Sequence, residues 1–342
     1  MSAIEVLSPG MLTTVQDLGR QGFGPMGVSP SGAADPIALR IGNRLAGNPE
    51  GAAALEMTLL GGTFLFHEPA TIALAGSDFG ATLDGHPLDG HPLDAHPLAC
   101  WTSAEVRSGQ TLRVGPTRSG SRCYLCIAGG IAVEPFLGSA STHLLSGLGG
   151  FHGRALRKGN VFSCGPVAAF KSRALRLAAS SEERRAGMPA LHGLLAYSSR
   201  RVFRVTAAPQ SNWFPESAQR VLYESAYRVA EESNRMGLRL QGPPLETSAH
   251  SRGEMITEGI SLGAIQVPDS GQLIISFVEQ QTTGGYPVIA NIISADLPSV
   301  GQLRPRDEIL FQPVTLAQAR ALLIEQEKLL ASPDLIVEVS TA

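Results

Sequence analysis

Thr63-Phe64-Leu65-Phe66, Thr71-Ile72-Ala73-Leu74-Ala75 and Tyr124-Leu125-Cys126-Ile127-Ala128 decide the fold. Each run is too short for a helix and is built from β-branched, aromatic and aliphatic side chains. Turn residues bound them: Gly61-Gly62 before the first, Gly76-Ser77-Asp78 after the second, Gly129-Gly130 after the third. Runs with that length, composition and punctuation are strands. The pattern recurs at Thr111–Val114, Val202–Thr206, Gln272–Val278 and Glu308–Phe311, with 38 glycines and 23 prolines supplying the breaks. The chain is therefore expected to be mainly β, a barrel-rich α+β protein with a few short helices.

Three helices interrupt the strands. Asp35–Leu45 has an N-cap aspartate, Pro36 at the first helical position and Gly47 beyond its end, with Ile37, Ile41 and Leu45 on one face. A second runs from Pro215 to about Leu222. A third, Leu316–Leu330, opens on a Thr315-x-x-Gln318 capping pair and is expected to pack Leu316, Ala319, Leu323 and Leu330 onto the β core. The polar stretch Ser180–Pro189 reads as a linker, which predicts an N-terminal β-rich half over 1–185 and a C-terminal β-barrel half with its helix over 190–342.

Length and composition narrow the function classes. With 342 residues, 43% of them hydrophobic, the chain can bury a sizeable core. A net charge of −3 and scattered arginines leave no basic footprint for nucleic acid or for a membrane surface. The first residues carry no signal pattern, no run is long enough to span a bilayer, and four cysteines make no disulfide framework. A cytoplasmic location is expected.

Several segments carry polar groups that chemistry could use. Thr13–Asp35 places Asp17, Arg20 and Asp35 among glycines at the entry to a helix, where an anion or small polar ligand is favoured; a self-contained structured loop reads equally well. Glu56 is a lone carboxylate in an apolar run, with Arg20 or Arg44 as its expected ion-pair partner. Cys123 and Cys126, three apart on a strand, face opposite ways and read as core residues. The repeat Asp-Gly-His-Pro-Leu, Asp-Gly-His-Pro-Leu, Asp-Ala-His-Pro-Leu over 84–98 spaces His86, His91 and His96 five apart, which fits a lengthened turn better than a metal site, so no metal is expected. Asn234 and Arg235, Gln266, and the turn Gln280–Pro287 with Gln281, Thr282, Thr283, Gly284, Gly285 and Tyr286 gather amide, hydroxyl and phenol groups. That inventory matches an amide or ureido group, or an oxyanion held by neutral donors, while Gly284-Gly285 allows the positive φ of a tight turn. By pattern alone the same turn reads as a polar hairpin.

The ordered set Thr14–Arg20, Gly27–Asp35, Asn43–Asn48, Ala53–Thr58, Asp84–Leu88, Tyr124–Gly130, Gly138–Thr142, Ser233–Gly237, Gly263–Pro268, Gln281–Pro287, Ala295–Leu297 and Gly301–Asp307 resembles allophanate hydrolase subunit 2, the biotin-dependent carboxyltransferase family that includes KipA-like proteins. The resemblance implies two cyclophilin-like β-barrel halves. It also implies a C-type subunit of an ATP-dependent 5-oxoprolinase, converting 5-oxo-L-proline to L-glutamate with a subunit-1 or B-type (KipI-like) partner and a third subunit. One alternative it carries is the carboxyltransferase component of a biotin-dependent carboxylase acting on urea or a similar amide. The other is a non-enzymatic antagonist of a kinase-inhibitor protein. On this basis Gln281, Thr282, Thr283 and Tyr286 are assigned to catalysis. Asp17, Arg20, Asp35, Glu56, Asn234, Arg235, Gln266, Gly284 and Gly285 are assigned to substrate binding. ATP belongs to the assembly, since this chain shows no Walker A motif. The sequence departs from the family at Glu279-Gln280, at Arg306, at Ala208–Asn212 and in the triple His-Pro repeat.

Overall fold

The computed structural model describes residues 3–84, 95–166, 175–177, 196–247 and 255–338. The linker Ser180–Pro189 and the repeat histidines His86 and His91 lie outside them. Two compact units form. One comprises Met1–Arg20, Ser31–Ser198 and Leu329–Ala342; the other comprises Gln21–Pro30 and Ser199–Lys328.

The first unit arranges its strands as two sheets. One has six strands in the order β11 (Val161–Ser163), β1 (Ala3–Ser8), β4 (Thr63–Phe66), β9 (Thr111–Arg113), β6 (Thr82–Leu83), β7 (His96–Pro97). The other has seven: β2 (Leu12–Gln16), β3 (Ala54–Thr58), β10 (Arg122–Ile127), β5 (Ala70–Gly76), β8 (Thr102–Val106), β12 (Leu175–Leu177), β22 (Ile336–Glu338). Strand β10 is buried along its whole length, because both of its faces carry core. Cys123 joins an aliphatic cluster with Ile4, Phe64 and Leu112, and Cys126 joins the opposite cluster beneath helix α1 (Pro36–Leu45). The two thiols thus face away from each other, as the spacing requires. Asp35 caps α1 by accepting from the Ala38 amide at 3.0 Å.

The second unit closes a seven-stranded barrel in the order β13 (Val202–Ala207), β20 (Val288–Ile292), β17 (Ala264–Gln266), β18 (Ile274–Ser276), β15 (Gly237–Gln241), β14 (Tyr227–Val229), β21 (Glu308–Pro313). A two-stranded ribbon, β16 (Glu258–Gly259) with β19 (Thr283–Gly284), accompanies it. Helices α2 (Glu216–Glu224), α3 (Leu297–Val300) and α4 (Leu316–Leu330) complete the described α-helices. In α4 the capping pair forms, Thr315 Oγ1 accepting from the Gln318 amide at 3.2 Å. The expected buried stripe does not. Leu316 is 77% exposed and only Leu330 is buried, so α4 rests its apolar positions partly in solvent. Among the described residues no helix is long and apolar enough to cross a membrane, and no three His, Cys, Asp or Glu side chains are grouped to hold a metal ion.

Two buried polar networks fix this framework. In the first unit, the Tyr124 hydroxyl donates to Glu56 at 2.6 Å and accepts from the Asp35 amide at 2.8 Å. Burial first, then the Glu56 and Asp35 carboxylates, push the Tyr124 phenol well above its ordinary pKa, so it stays protonated and donating. In the second unit Arg235 and Glu279 form an ion pair, 4% and 3% exposed respectively. Tyr124→Phe should cost about 1–3 kcal/mol in urea unfolding by stranding the buried Asp35 amide and removing one donor from Glu56, which keeps the Ala34 amide. Glu279→Gln should cost about 3–5 kcal/mol by leaving a buried guanidinium without its counter-charge.

Candidate functional site

A barrel strand sends alternate side chains inward and outward. In β15, Leu238 and Leu240 turn inward and are buried, whereas Gly237, Arg239 and Gln241 turn outward. Register carries the same division across the neighbouring strands. Leu238 pairs with Ile275, and Ile275 with Ile265, all buried. Arg239 pairs with Ile274, and Ile274 with Gln266, on the outer face. The outer face of β15, β18 and β17 is therefore the floor of an open cavity of about 600 Å³. The β14–β15 hairpin contributes Glu232, Asn234 and Met236 to its wall, and the turn after β18 contributes Gln280, Gln281 and Tyr286.

The lining is uncharged apart from Glu232 and Arg239 and mixes amide, hydroxyl and apolar groups. The Asn234 side-chain oxygen is spent on the Met236 amide at 2.8 Å, which folds the hairpin. Its amide nitrogen makes no hydrogen bond among the described residues. Gln266 donates from Nε2 to Ser276 Oγ at 2.7 Å, which fixes the amide orientation and keeps Oε1 as an acceptor at the floor. Gln280 is 7% exposed and donates to the Ile260 carbonyl at 2.9 Å; its Oε1 has no hydrogen-bond partner among the described residues, an unspent acceptor in the wall. Gln281 is exposed, and Tyr286 is 47% exposed at the rim.

The residues assigned from sequence thus divide. Asn234, Gln266, Gln281 and Tyr286 come together around one cavity. Arg235 is adjacent in sequence but is drawn into the barrel wall by Glu279. Thr282 and Thr283 do not line the cavity: the Thr282 carbonyl accepts from Ile260 at 3.1 Å, and Thr283 lies in β19. Gly284 and Gly285 are not among the left-handed glycines, contrary to the tight-turn expectation. Gly284 instead lies close against the tip of the Ile260 side chain. A Cβ there would fall 2.1 Å from Ile260 Cδ1 and 3.2 Å from Gln266 Oε1.

Asp17, Arg20, Asp35 and Glu56 belong to the first unit and are engaged there. Asp17 accepts from the Ser139 hydroxyl at 2.6 Å, the Ser141 hydroxyl at 2.5 Å and the Ala140 amide at 2.6 Å. Arg20 donates to the Phe136 and Ser141 carbonyls and lies over the Phe136 ring. Asp35 accepts from Tyr197 at 2.5 Å besides capping α1. Glu56 has Arg122 as an ionic partner, at 3.4 Å; Arg44 reaches Glu50 and the Leu330 carbonyl. Sequence reading missed Arg239, Gln272 and Ser276 in the cavity. The signal was present as the alternation Gly237-Leu238-Arg239-Leu240-Gln241, but only strand pairing puts it beside Gln266.

Comparison with known proteins agrees with this architecture. The chain is 35% identical over 327 residues to the C-type subunit of the 5-oxoprolinase of Escherichia coli K12, covering 95% of this chain and 96% of that protein. It is 33% identical to urea amidolyase of Saccharomyces cerevisiae over 97% of its own length, spanning 18% of that protein. The crystal structure of urea amidolyase from K. lactis superimposes with a TM-score of 0.82 at 31% identity, covering 98% of this chain and 21% of that one. Residues 26–313 match the family described as carboxyltransferase domain, subdomain A and B, and the chain belongs to that family.

Proposed function

We propose that the chain is the C-type subunit of an ATP-dependent 5-oxoprolinase, acting with a B-type partner and a third subunit to open 5-oxo-L-proline to L-glutamate. The observation that carries this reading is the cavity of neutral amides on the barrel face, in a chain that matches the C-type subunit of a 5-oxoprolinase over nearly its whole length. A lactam presents one carbonyl acceptor and one N–H donor. Gln281, Asn234 and Tyr286 supply neutral donors for the carbonyl oxygen, and Gln266 Oε1 supplies an acceptor for the N–H. Donors of this kind hold the substrate in the ground state and stabilise negative charge developing on the oxygen as the amide is attacked.

The cavity does not match a nucleoside triphosphate. Its charged lining consists of Arg239 and Glu232, with no lysine and no glycine-rich run of backbone N–H groups. No step of ATP use is assigned to it. A second reading, the carboxyltransferase component of a biotin-dependent carboxylase acting on urea or a related amide, is favoured by the similarity to the urea amidolyases. The ureido edge of biotin and urea itself present the same donor and acceptor pattern, so the neutral amides suit that chemistry as well.

Co-purification with the products of neighbouring genes, followed by assay of glutamate released from 5-oxo-L-proline with ATP, tests the first reading. Absence of release from the full assembly overturns it, and biotin-dependent activity abolished by avidin supports the second. In the active assembly, Gln281→Ala and Tyr286→Phe should each lower kcat/KM by about 3- to 10-fold where they only bind, and by about 100-fold where they face developing charge. Normal turnover in a folded double variant would show the turn to be structural. Gly284→Ala should raise KM by displacing Gln266 and cost about 1–3 kcal/mol of stability through overpacking against Ile260.

A further inference from the structure

Arg239 is the cationic side chain lining the cavity, whose other charged lining residue is Glu232. It is exposed on the outer face of β15 and makes no ion pair or side-chain hydrogen bond among the described residues. Several other arginines of the second unit are paired, Arg204 with Asp296, Arg228 with Glu308, Arg235 with Glu279 and Arg306 with Glu231; among the described residues Arg220 and Arg320 are unpaired like Arg239, but they do not line the cavity. Its position is fixed by register. Arg239 and Gln266 both pair with Ile274, one from each side. Two strand spacings put their Cα atoms about 10 Å apart on one face of the sheet. Both side chains are long enough to converge over Ile274 on a ligand a few ångströms across. Ile274 and Pro268 give that ligand an apolar surface.

We propose that Arg239 forms a carboxylate subsite. The ligand is then a small amide that carries a carboxylate: the amide edge meets Gln266 and Gln281, and the anionic end meets the guanidinium, whose planar fork matches a carboxylate in bidentate fashion. Glu232, the cavity's other charged lining group, makes the same pocket unsuited to polyanions. This inference rests on the amide-binding reading above and sharpens it, because 5-oxo-L-proline has the carboxylate and urea does not.

The test uses the assembled complex and two probes, 5-oxo-L-proline and 2-pyrrolidinone, the same lactam without its carboxylate. Arg239→Gln should raise KM for 5-oxo-L-proline by about 10- to 100-fold, with a smaller change in kcat, and leave the binding of 2-pyrrolidinone as in the wild type. Arg239→Lys should recover part of the loss. An unchanged KM in Arg239→Gln overturns the subsite, and so does an equal loss for both lactams. A wild-type assembly that releases no glutamate counts against the proposed function instead. The subsite is then read by calorimetric titration of the full chain with 5-oxo-L-proline and with urea. Arg239-dependent binding of the first sustains it; binding of urea alone, or of neither, overturns it.

Discussion

The alternation of side chains across β15, β18 and β17 is the constraint on which the site depends. A closed barrel has one interior, so every second residue of each strand must be apolar and packed. Leu238, Leu240, Ile275 and Ile265 meet that demand and are buried. The residues between them are released from it, and register decides which of them become neighbours. Gly237 with Ser276 and Arg239 with Ile274 and Gln266 follow directly. A slip of one residue in β15 would turn Arg239 into the core and Leu238 onto the surface. The packing energy of the interior therefore holds the outer polar groups in place without asking anything of those groups themselves. The Arg235–Glu279 pair does the same for the two segments flanking the cavity, tying the hairpin before β15 to the turn after β18.

Much of the fold was legible in the sequence, and the reason is local. Thr63–Phe66, Thr71–Ala75 and Val202–Thr206 all lie in strands, and the helix at Pro36–Leu45 starts at its aspartate cap. Length, β-branching and caps are properties of neighbouring residues, so a single chain displays them. The exposed face of α4 was misjudged because helical spacing shows which residues share a face and says nothing of whether another element arrives to cover it.

The site was only half legible, for a complementary reason. Asp17, Arg20, Asp35 and Glu56 look like ligand-binding groups because they are charged residues among glycines and apolar runs. Buried charge has to be compensated, and a protein compensates it with its own hydroxyls and amides as readily as with a ligand. Ser139, Ser141 and Ala140 satisfy Asp17, while Tyr124 and Arg122 satisfy Glu56. Those partners are tens of residues away in sequence, so nothing near Asp17 or Glu56 announces them. Arg239 went unnoticed for the converse reason. Its neighbours Leu238 and Leu240 make it look like an ordinary solvated strand position, and only the pairing with Ile274 reveals what it faces.

A guanidinium without an ion-pair partner in a cavity lined mainly by uncharged residues has a consequence for selectivity. Two unit charges 4 Å apart interact by about 1 kcal/mol in bulk water and by about 4 kcal/mol at the effective dielectric near a protein surface. A neutral amide gains none of this and must still displace water from the arginine. A carboxylate-bearing amide gains it while making the same contacts with the glutamines. The neutral groups therefore recognise what lactams and ureas share, and the charge separates them. A carboxylate in place of Ile274, between Arg239 and Gln266, would cancel that separation by pairing with the arginine internally. The isoleucine leaves the charge unspent beside an apolar side chain.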